Sequence, residues 1–324
     1  MKILVIGAAG MVGRKLVTAL LQSGQVGGQA VSALTLADVI EPEVVAAQVP
    51  VTTVAADLST DGVATSLLAD RPDLIFHLAA IVSGEAEADF EKGYRINLDG
   101  TRYLFEAIRL AGVSAAYRPR VVFTSSIAVF GEPLPEVIGD THERTPLTSY
   151  GTQKAIGELL LADYSRRGFL DGIGIRLPTI VVRPGKPNKA ASGFFSGIIR
   201  EPLAGLEAVL PVDDTVRHWF ASPRAAVGFL LHAAAMDTVL LGNQRSLSMP
   251  GLAATVGDEI AALERAAGAK ATALIRRERN EAIASMVAGW PQAFDAKRAI
   301  ALGFKGDGSF DDIIRIYVED ELGG

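Results

Sequence analysis

The sequence predicts an α/β fold, a doubly wound parallel sheet followed by a smaller C-terminal lobe. Three observations carry that prediction. Short β-branched runs alternate with helical patterns through the first half of the chain, as repeated strand-helix-strand units require. The runs are almost continuously apolar, as strands covered on both faces are. The alternation then stops near Pro184, where a stretch rich in Pro, Gly, Lys and Ser (RPGKPNKAASG) reads as a loop.

Taken in order, KILVIG is the first strand and meets a glycine turn, and a helix follows over Met11–Ser23. LTLAD ends a second strand at Asp38, VTTVAAD ends a third at Asp57, and DLIFHLAA is the fourth. A helix over Tyr94–Ala111 leads to RVVFTSS, whose apolar body ends in Thr124, Ser125 and Ser126. The next helix, Tyr150–Arg167, places Ile156, Leu159, Leu160 and Tyr164 on one apolar stripe. GIGIRLPTIVV is a further strand. This order is that of a Rossmann domain over residues 1–184. Residues 185–324 read mainly as a substrate-binding lobe, with some segments returning to the Rossmann core and with helices over Val256–Ala267 and near Pro291–Leu302.

Composition narrows the function classes. The 324 residues are 49% hydrophobic, enough for a large core, and a net charge of −6 supplies no basic field for nucleic acid. With no Cys there is no disulfide or thiolate nucleophile, and four scattered His argue against a metal site. The N-terminal apolar run meets Gly7 at once, unlike a signal peptide. The longest apolar stretch, Ala225–Gly242, is interrupted by His232 and Asp237, short of the roughly 18 uncharged residues of a membrane span. A cytoplasmic protein with no membrane or nucleic-acid partner is expected.

Two groups of residues suggest chemistry. Directly after the first strand, G-A-A-G-M-V-G sets Gly7, Gly10 and Gly13 three apart at the start of a helix. Glycines permit a tight turn and close approach of a pyrophosphate, and the helix N-terminus supplies free N–H groups; a packing turn would also use them. Asp38, 25 residues after Gly13, stands where a carboxylate accepts the adenosine ribose hydroxyls and repels a 2′-phosphate, which favours NAD over NADP. Asp57 fits either the adenine amino group or a helix cap. In the second group, S-Y-G-T-Q-K-A places Tyr150 and Lys154 four apart on one helix face. A cation there favours the phenolate and lowers the tyrosine pKa from about 10, as acid–base chemistry needs; the same spacing also fits any amphipathic turn. Ser126 ends an inner strand 24 residues upstream, at the edge where parallel sheets bind ligands.

Together G-A-A-G-M-V-G, Asp38, Asp57, H-L-A-A at His77–Ala80, N-L-D-G-T at Asn97–Thr101, T-S-S-I-A-V-F-G and Y-G-T-Q-K resemble the extended short-chain dehydrogenase/reductase family, in order over roughly the first 185 residues. The resemblance implies that Ser126 orients the substrate oxygen, Tyr150 exchanges its proton, and Lys154 lowers the tyrosine pKa and holds the nicotinamide ribose. It implies NAD binding by Gly7, Gly10, Met11, Val12, Gly13, Asp38, Asp57, Leu58, Leu78, Ala79, Ala80, Asn97 and Pro178 besides Tyr150 and Lys154, with Asn97 supporting the active-site helix and its water relay. His77 reads as a packed structural residue. A homodimer through the helices near 94–111 and 150–167 is the family expectation.

The chain departs from the nucleotide-sugar members of that family. Dehydratases place acids directly after the catalytic hydroxyl, where this chain has Ile127 and Ala128. In V-R-H-W-F-A-S-P-R, Arg217 and Trp219 match the family pattern, but His218 and Arg224 replace its acids. Between Arg183 and Arg200, Arg183, Lys186, Lys189 and Arg200 occur with no acidic residue; any one of them fits a solvated loop charge equally well, but as a group they point to an anionic substrate, a small carboxylate or a diphosphate. The substrate-binding set expected is Ser83, Ser125, Ser126, Tyr150, Arg183 and Arg217. Over nearly its full length the pattern is similar to members that oxidise the 2-hydroxyl of a four-carbon sugar acid with NAD. Two alternatives remain: an NAD-dependent nucleotide-sugar epimerase, and a non-catalytic dinucleotide-binding regulator, against which the intact Tyr150 and Lys154 argue.

Overall fold

A computed structural model of the protein describes residues 1–43, 46–185 and 192–323. The chain forms two compact units. Met1–Ser126, Thr148–Arg176 and Val227–Leu247 make the first; Ile127–Leu147, Leu177–Ala226 and Ser248–Gly324 make the second.

In the first unit the predicted strands appear as β1 (Lys2–Ile6), β2 (Ala33–Asp38), β3 (Val51–Ala55), β4 (Leu74–His77), β5 (Arg120–Ser126) and β6 (Asp171–Leu177). With Ser246–Ser248 at one edge they form a seven-stranded sheet in the order Ser246–Ser248, β6, β5, β4, β1, β2, β3. β1 pairs in parallel with β2 and β4, and β2 with β3 and β4 with β5 likewise. The order reverses between β1 and β4, so their carboxyl ends flank the crevice where doubly wound sheets take ligands. β4 is buried throughout and β1 almost so, whereas edge strand β3 is half-exposed.

The first helix, α1, spans Met11–Ser23 as the periodicity predicts, and Gly24 ends it in the left-handed region (φ 63°) with its N–H on the Leu20 carbonyl. The helix expected over Tyr94–Ala111 instead begins with a π-helical turn, Tyr94–Asp99, and becomes α2 at Gly100–Ser114. α3 runs over Ser149–Arg166, but its buried face is not the apolar stripe. Gln153, Lys154, Glu158 and Leu161 point inward, while Leu159 is 55% exposed and Ile156, Leu160 and Tyr164 are only partly covered. A polar face goes inward because Gln153 Oε1, Lys154 Nζ and the Glu158 carboxylate each meet a partner there, although Gln153 Nε2 meets none among the described residues.

The boundary expected at residue 184 falls differently. Pro178 interrupts GIGIRLPTIVV: β6 ends at Leu177, and β7 (Thr179–Ile180) pairs with β8 (Arg217–Ala221) in the second unit. Ile127–Leu147 also belong to that unit.

The second unit holds a three-stranded sheet, β7–β8–β9, with β9 at Leu252–Thr255 antiparallel to β8. Helices over Gly193–Leu203, Val256–Ala267 and Phe310–Tyr317 contribute Phe195, Ile199, Leu263 and Ile314 to a core shared with Phe220. The helix predicted near Pro291–Leu302 is shorter. Phe294–Asp295 pairs as a strand with Ile138–Gly139, which leaves only Lys297–Ala301 helical.

The helix Val256–Ala267 opens on a reciprocal Thr255/Asp258 capping box. Beside it, Glu259 is fully buried, and among the described residues neither carboxyl oxygen has a hydrogen-bond partner. Burial, with the Asp258 charge adding to it, holds this carboxyl well above the usual carboxylate range. The unfolded chain releases that proton above about pH 4.3, so the folded protein binds more protons and loses stability as pH rises toward the folded value. Glu259→Gln should therefore gain in melting temperature over the parent between pH 5 and 8, in amounts that grow with pH. Parallel melting curves across that range would refute the burial argument.

Candidate active site

The glycine turn leaves β1 through Gly7, at φ 93°, whose N–H bonds the Ala37 carbonyl at 2.8 Å. A Cβ on Gly7 would lie 2.7 Å from the Ala79 nitrogen, and one on Gly13 would lie 2.2 Å from the Gly7 carbonyl oxygen. Gly10 caps α1 with no side-chain hydrogen bond, and the first turn of α1 carries no acidic residue. The first-turn amides, at half-buried Met11 and Val12, thus suit an anion. Asp38 is tethered beside the turn: Oδ2 accepts from the Ala9 amide at 2.9 Å and Oδ1 from the Val39 amide at 2.7 Å. A backbone cradle with no room for a methyl, an uncapped helix end and a fixed carboxylate together fit a dinucleotide's pyrophosphate and ribose.

Other expected cofactor residues divide. Leu78, Ala79 and Ala80 follow β4 and are half-buried, Ala79 against Gly7. Asp57 closes a turn and caps no helix, since the next one, Val63–Leu67, is capped by Gly62: Oδ1 accepts from the Ser59 amide at 2.9 Å and hydroxyl at 2.5 Å, while Oδ2 pairs with Arg95 at 3.1 Å. Burial works against its charge, but these bonds prevail and hold the carboxyl below its ordinary range. The Leu58 side chain is buried in the core with Ile75 and Leu104.

At the other group, Thr148 caps α3 by accepting the Gly151 amide at 3.0 Å, which places Tyr150 in the first turn, half-buried, and Lys154 one turn further, 2% exposed. Lys154 Nζ donates to the Thr124 carbonyl at 2.8 Å and lies 5.7 Å from the Tyr150 ring centroid. Since Ser126 follows Thr124 by two residues, the end of β5 and the start of α3 meet here. Burial pushes Lys154 down to about 7, against the opposing charge of Glu158. Asn97, also buried, donates to Gln153 Oε1 at 2.8 Å and to the Ile81 carbonyl at 3.3 Å, and accepts the Ile81 amide at 2.8 Å. Its side chain clamps α3 to the loop after β4, as support for that helix requires. His77 bonds Thr101 at 2.9 Å, and burial takes it down to about 3, so it is a neutral, packed residue.

The Ser125 hydroxyl, 3% exposed, donates to Glu158 Oε1 at 2.6 Å. Glu158 in turn accepts Arg176 Nε and Nη2, both at 2.8 Å. Sequence reasoning missed Glu158 and Arg176; the available signal was an acid four residues beyond Lys154 on its own helix. Ser83 is half-buried at the start of the short helix Ser83–Ala88.

Pro178, Arg183 and Arg217 belong to the second unit. The basic set there is less open than the sequence suggests. Arg183 donates Nε to the Ile180 carbonyl at 2.9 Å and Nη2 to Ser192 at 3.0 Å, and Arg200 pairs with Glu201 at 2.5 Å. Lys186 and Lys189 lie outside the described residues. Arg217 is exposed at the start of β8. His218, stacked on Phe195 and 2.6 Å from Thr179 Oγ1, is pushed by burial down to about 4, so it carries no charge at neutral pH. Arg224 is paired with Glu319 and Asp320. Among the described residues no cluster of His, Asp or Glu could hold a metal, and no helix is long and apolar enough to cross a membrane.

A dinucleotide turn at the carboxyl edge of a doubly wound sheet, with a tyrosine and a buried lysine one helical turn apart, defines the short-chain class of oxidoreductases. Within that class the chain belongs to the extended branch, the NAD dependent epimerase/dehydratase family, whose model matches residues 3–238. It is an NAD-dependent enzyme. It is 48% identical to a D-erythronate dehydrogenase of Cupriavidus necator over 99% of this chain and 98% of the relative. With a D-erythronate dehydrogenase of Haemophilus influenzae it shares 40% identity over 99% of this chain and 100% of the other. Among solved structures, one described as a nucleoside-diphosphate-sugar epimerase from Agrobacterium tumefaciens superposes with a TM-score of 0.98 at 65% identity, over 100% of this chain and 95% of that one. The holo L-threonine dehydrogenase of Cupriavidus necator, at 20% identity and TM-score 0.84 over 99% of both chains, shares the fold alone.

Proposed function

We propose that the protein oxidises the 2-hydroxyl of D-erythronate, or of a closely related small sugar acid, to the 2-oxo acid. The observation that carries this reading is full-length similarity to two D-erythronate dehydrogenases in a chain that retains Ser126, Tyr150 and Lys154. Bound NAD supplies the hydride acceptor. Tyr150, as phenolate, removes the hydroxyl proton, and Ser126 hydrogen-bonds the reacting oxygen. Lys154 favours the phenolate by its charge. The Asp38 carboxylate selects against a 2′-phosphate, so NADP is a poor substitute.

Purified protein mixed with NAD and a panel of 2-hydroxy sugar acids should produce NADH, most rapidly with D-erythronate. No NADH across the panel, together with turnover of a nucleotide sugar, would overturn the reading. That second activity has its own support in the 65% identical structure described as an epimerase. An epimerase releases no net NADH, so the two readings separate in a single assay.

We also infer a cytoplasmic homodimer. Leu110 and Val113 on α2 and Leu159 on α3 are 52%, 75% and 55% exposed, on helices that pack together, and a second copy would cover them. Sedimentation should give twice the 34.1 kDa chain mass, and Leu159→Glu should shift it toward the monomer. A monomeric parent protein would refute the dimer.

A further inference from the structure

Successive turns of α3 grip three consecutive residues at the end of β5. The Phe123 ring occupies the space above Gly157, where an added Cβ would lie 2.8 Å from its Cζ. Thr124 offers its carbonyl to Lys154 Nζ at 2.8 Å, and Ser125 its hydroxyl to Glu158 at 2.6 Å. Glu158 is 1% exposed and forked by Arg176 from the adjacent strand β6. Stability alone is a weak reason for such a pair, because desolvating two charges offsets most of their attraction and apolar residues of similar volume often do as well. Position gives a better reason. Tyr150, Lys154 and Glu158 follow one another at intervals of four along one helix face.

We propose that Glu158, anchored by Arg176 and Ser125, is a positioning residue for the reaction: it keeps the buried Lys154 ammonium charged and holds the strand end bearing Ser126 in register with Tyr150. Lys154 sits in a site that opposes its charge, and Glu158 is the group that acts the other way. Without the carboxylate, Lys154 gives up its proton more readily and no longer favours the Tyr150 phenolate. Tyr150 then holds its proton to higher pH. The proposal rests on the oxidation described above for its consequence in turnover, but not for the titration itself.

The test is the titration of Tyr150, followed as the tyrosinate absorbance difference between each protein and its Tyr150→Phe counterpart, with no substrate present. In Glu158→Gln the titration should move upward by about one pH unit or more, the scale on which a neighbouring charge acts. The acid limb of kcat/KM for D-erythronate should move with it. Should Glu158→Gln leave Arg176 as a buried unpaired cation and fail to fold, Glu158→Gln/Arg176→Met removes both charges and should still titrate above the parent. An unshifted or lowered Tyr150 titration in a folded variant overturns the proposal, even if kcat falls, since a merely structural role would lower kcat without moving the titration. If D-erythronate proves not to be a substrate, the titration shift still decides the role of Glu158.

Discussion

Replacing Tyr150 by Phe should lower NAD-linked oxidation by about 10²–10⁴-fold, the range over which a positioned acid–base group contributes to a rate. The substitution removes one oxygen and keeps the ring, so the Thr148 cap and the Lys154–Thr124 hydrogen bond that seat the first turn of α3 remain. Stability should change by no more than about 1 kcal/mol, the net worth of one hydrogen bond. The loss should fall in kcat and kcat/KM alike, because proton transfer belongs to the transition state rather than to binding. Raising the pH should not restore the rate, since no group remains to titrate. Steady-state kinetics with a thermal melt distinguish this outcome from unfolding, and parent-like turnover would remove Tyr150 from the mechanism.

The elements legible in the sequence were those specified by neighbours along the chain. α1 was bounded by a glycine turn at one end and Gly24 at the other, and β5 by its run of apolar residues ending in hydroxyls. Groups satisfied by distant partners were not legible. Nothing beside Ser125 in the sequence announces its partner, Glu158, 33 residues away, and nothing beside Glu158 announces Arg176 on the next strand. The same blindness reversed α3: an apolar stripe of Ile156, Leu159 and Leu160 looked like the buried face, yet the inward positions are polar groups whose partners come from β5, β6 and Asn97. Arg200 looked cationic until Glu201, its immediate neighbour, neutralised it. Pro178 was read as part of a continuous strand, although a residue without an N–H is where a strand can leave its sheet.

Gly13→Ala should destabilise the protein by about 1–3 kcal/mol, the usual cost of overpacking, although alanine at a helical position ordinarily gains up to about 1 kcal/mol over glycine. The intrinsic gain loses because the new Cβ would fall 2.2 Å from the Gly7 oxygen and 2.9 Å from Ala8 Cα, and neither backbone atom can swing aside as a side-chain tip could. The backbone must open, which displaces the first turn of α1, whose N–H groups are the ones proposed to receive the pyrophosphate. NAD affinity should fall with stability, tenfold for each 1.4 kcal/mol or so of lost interaction. Gly10→Ala provides the contrast. Its Cβ would lie 3.4 Å from the Gly7 oxygen, an ordinary contact, so the free protein should keep its melting temperature, and any loss of NAD affinity would report the added methyl directly. Thermal melts and NAD titrations of both variants measure this, and a Gly13→Ala protein as stable as the Gly10→Ala one would contradict it. The two glycines differ in what they leave room for: at Gly13 the room is needed by the chain itself, and at Gly10 the chain leaves room that the proposed pyrophosphate contact would use.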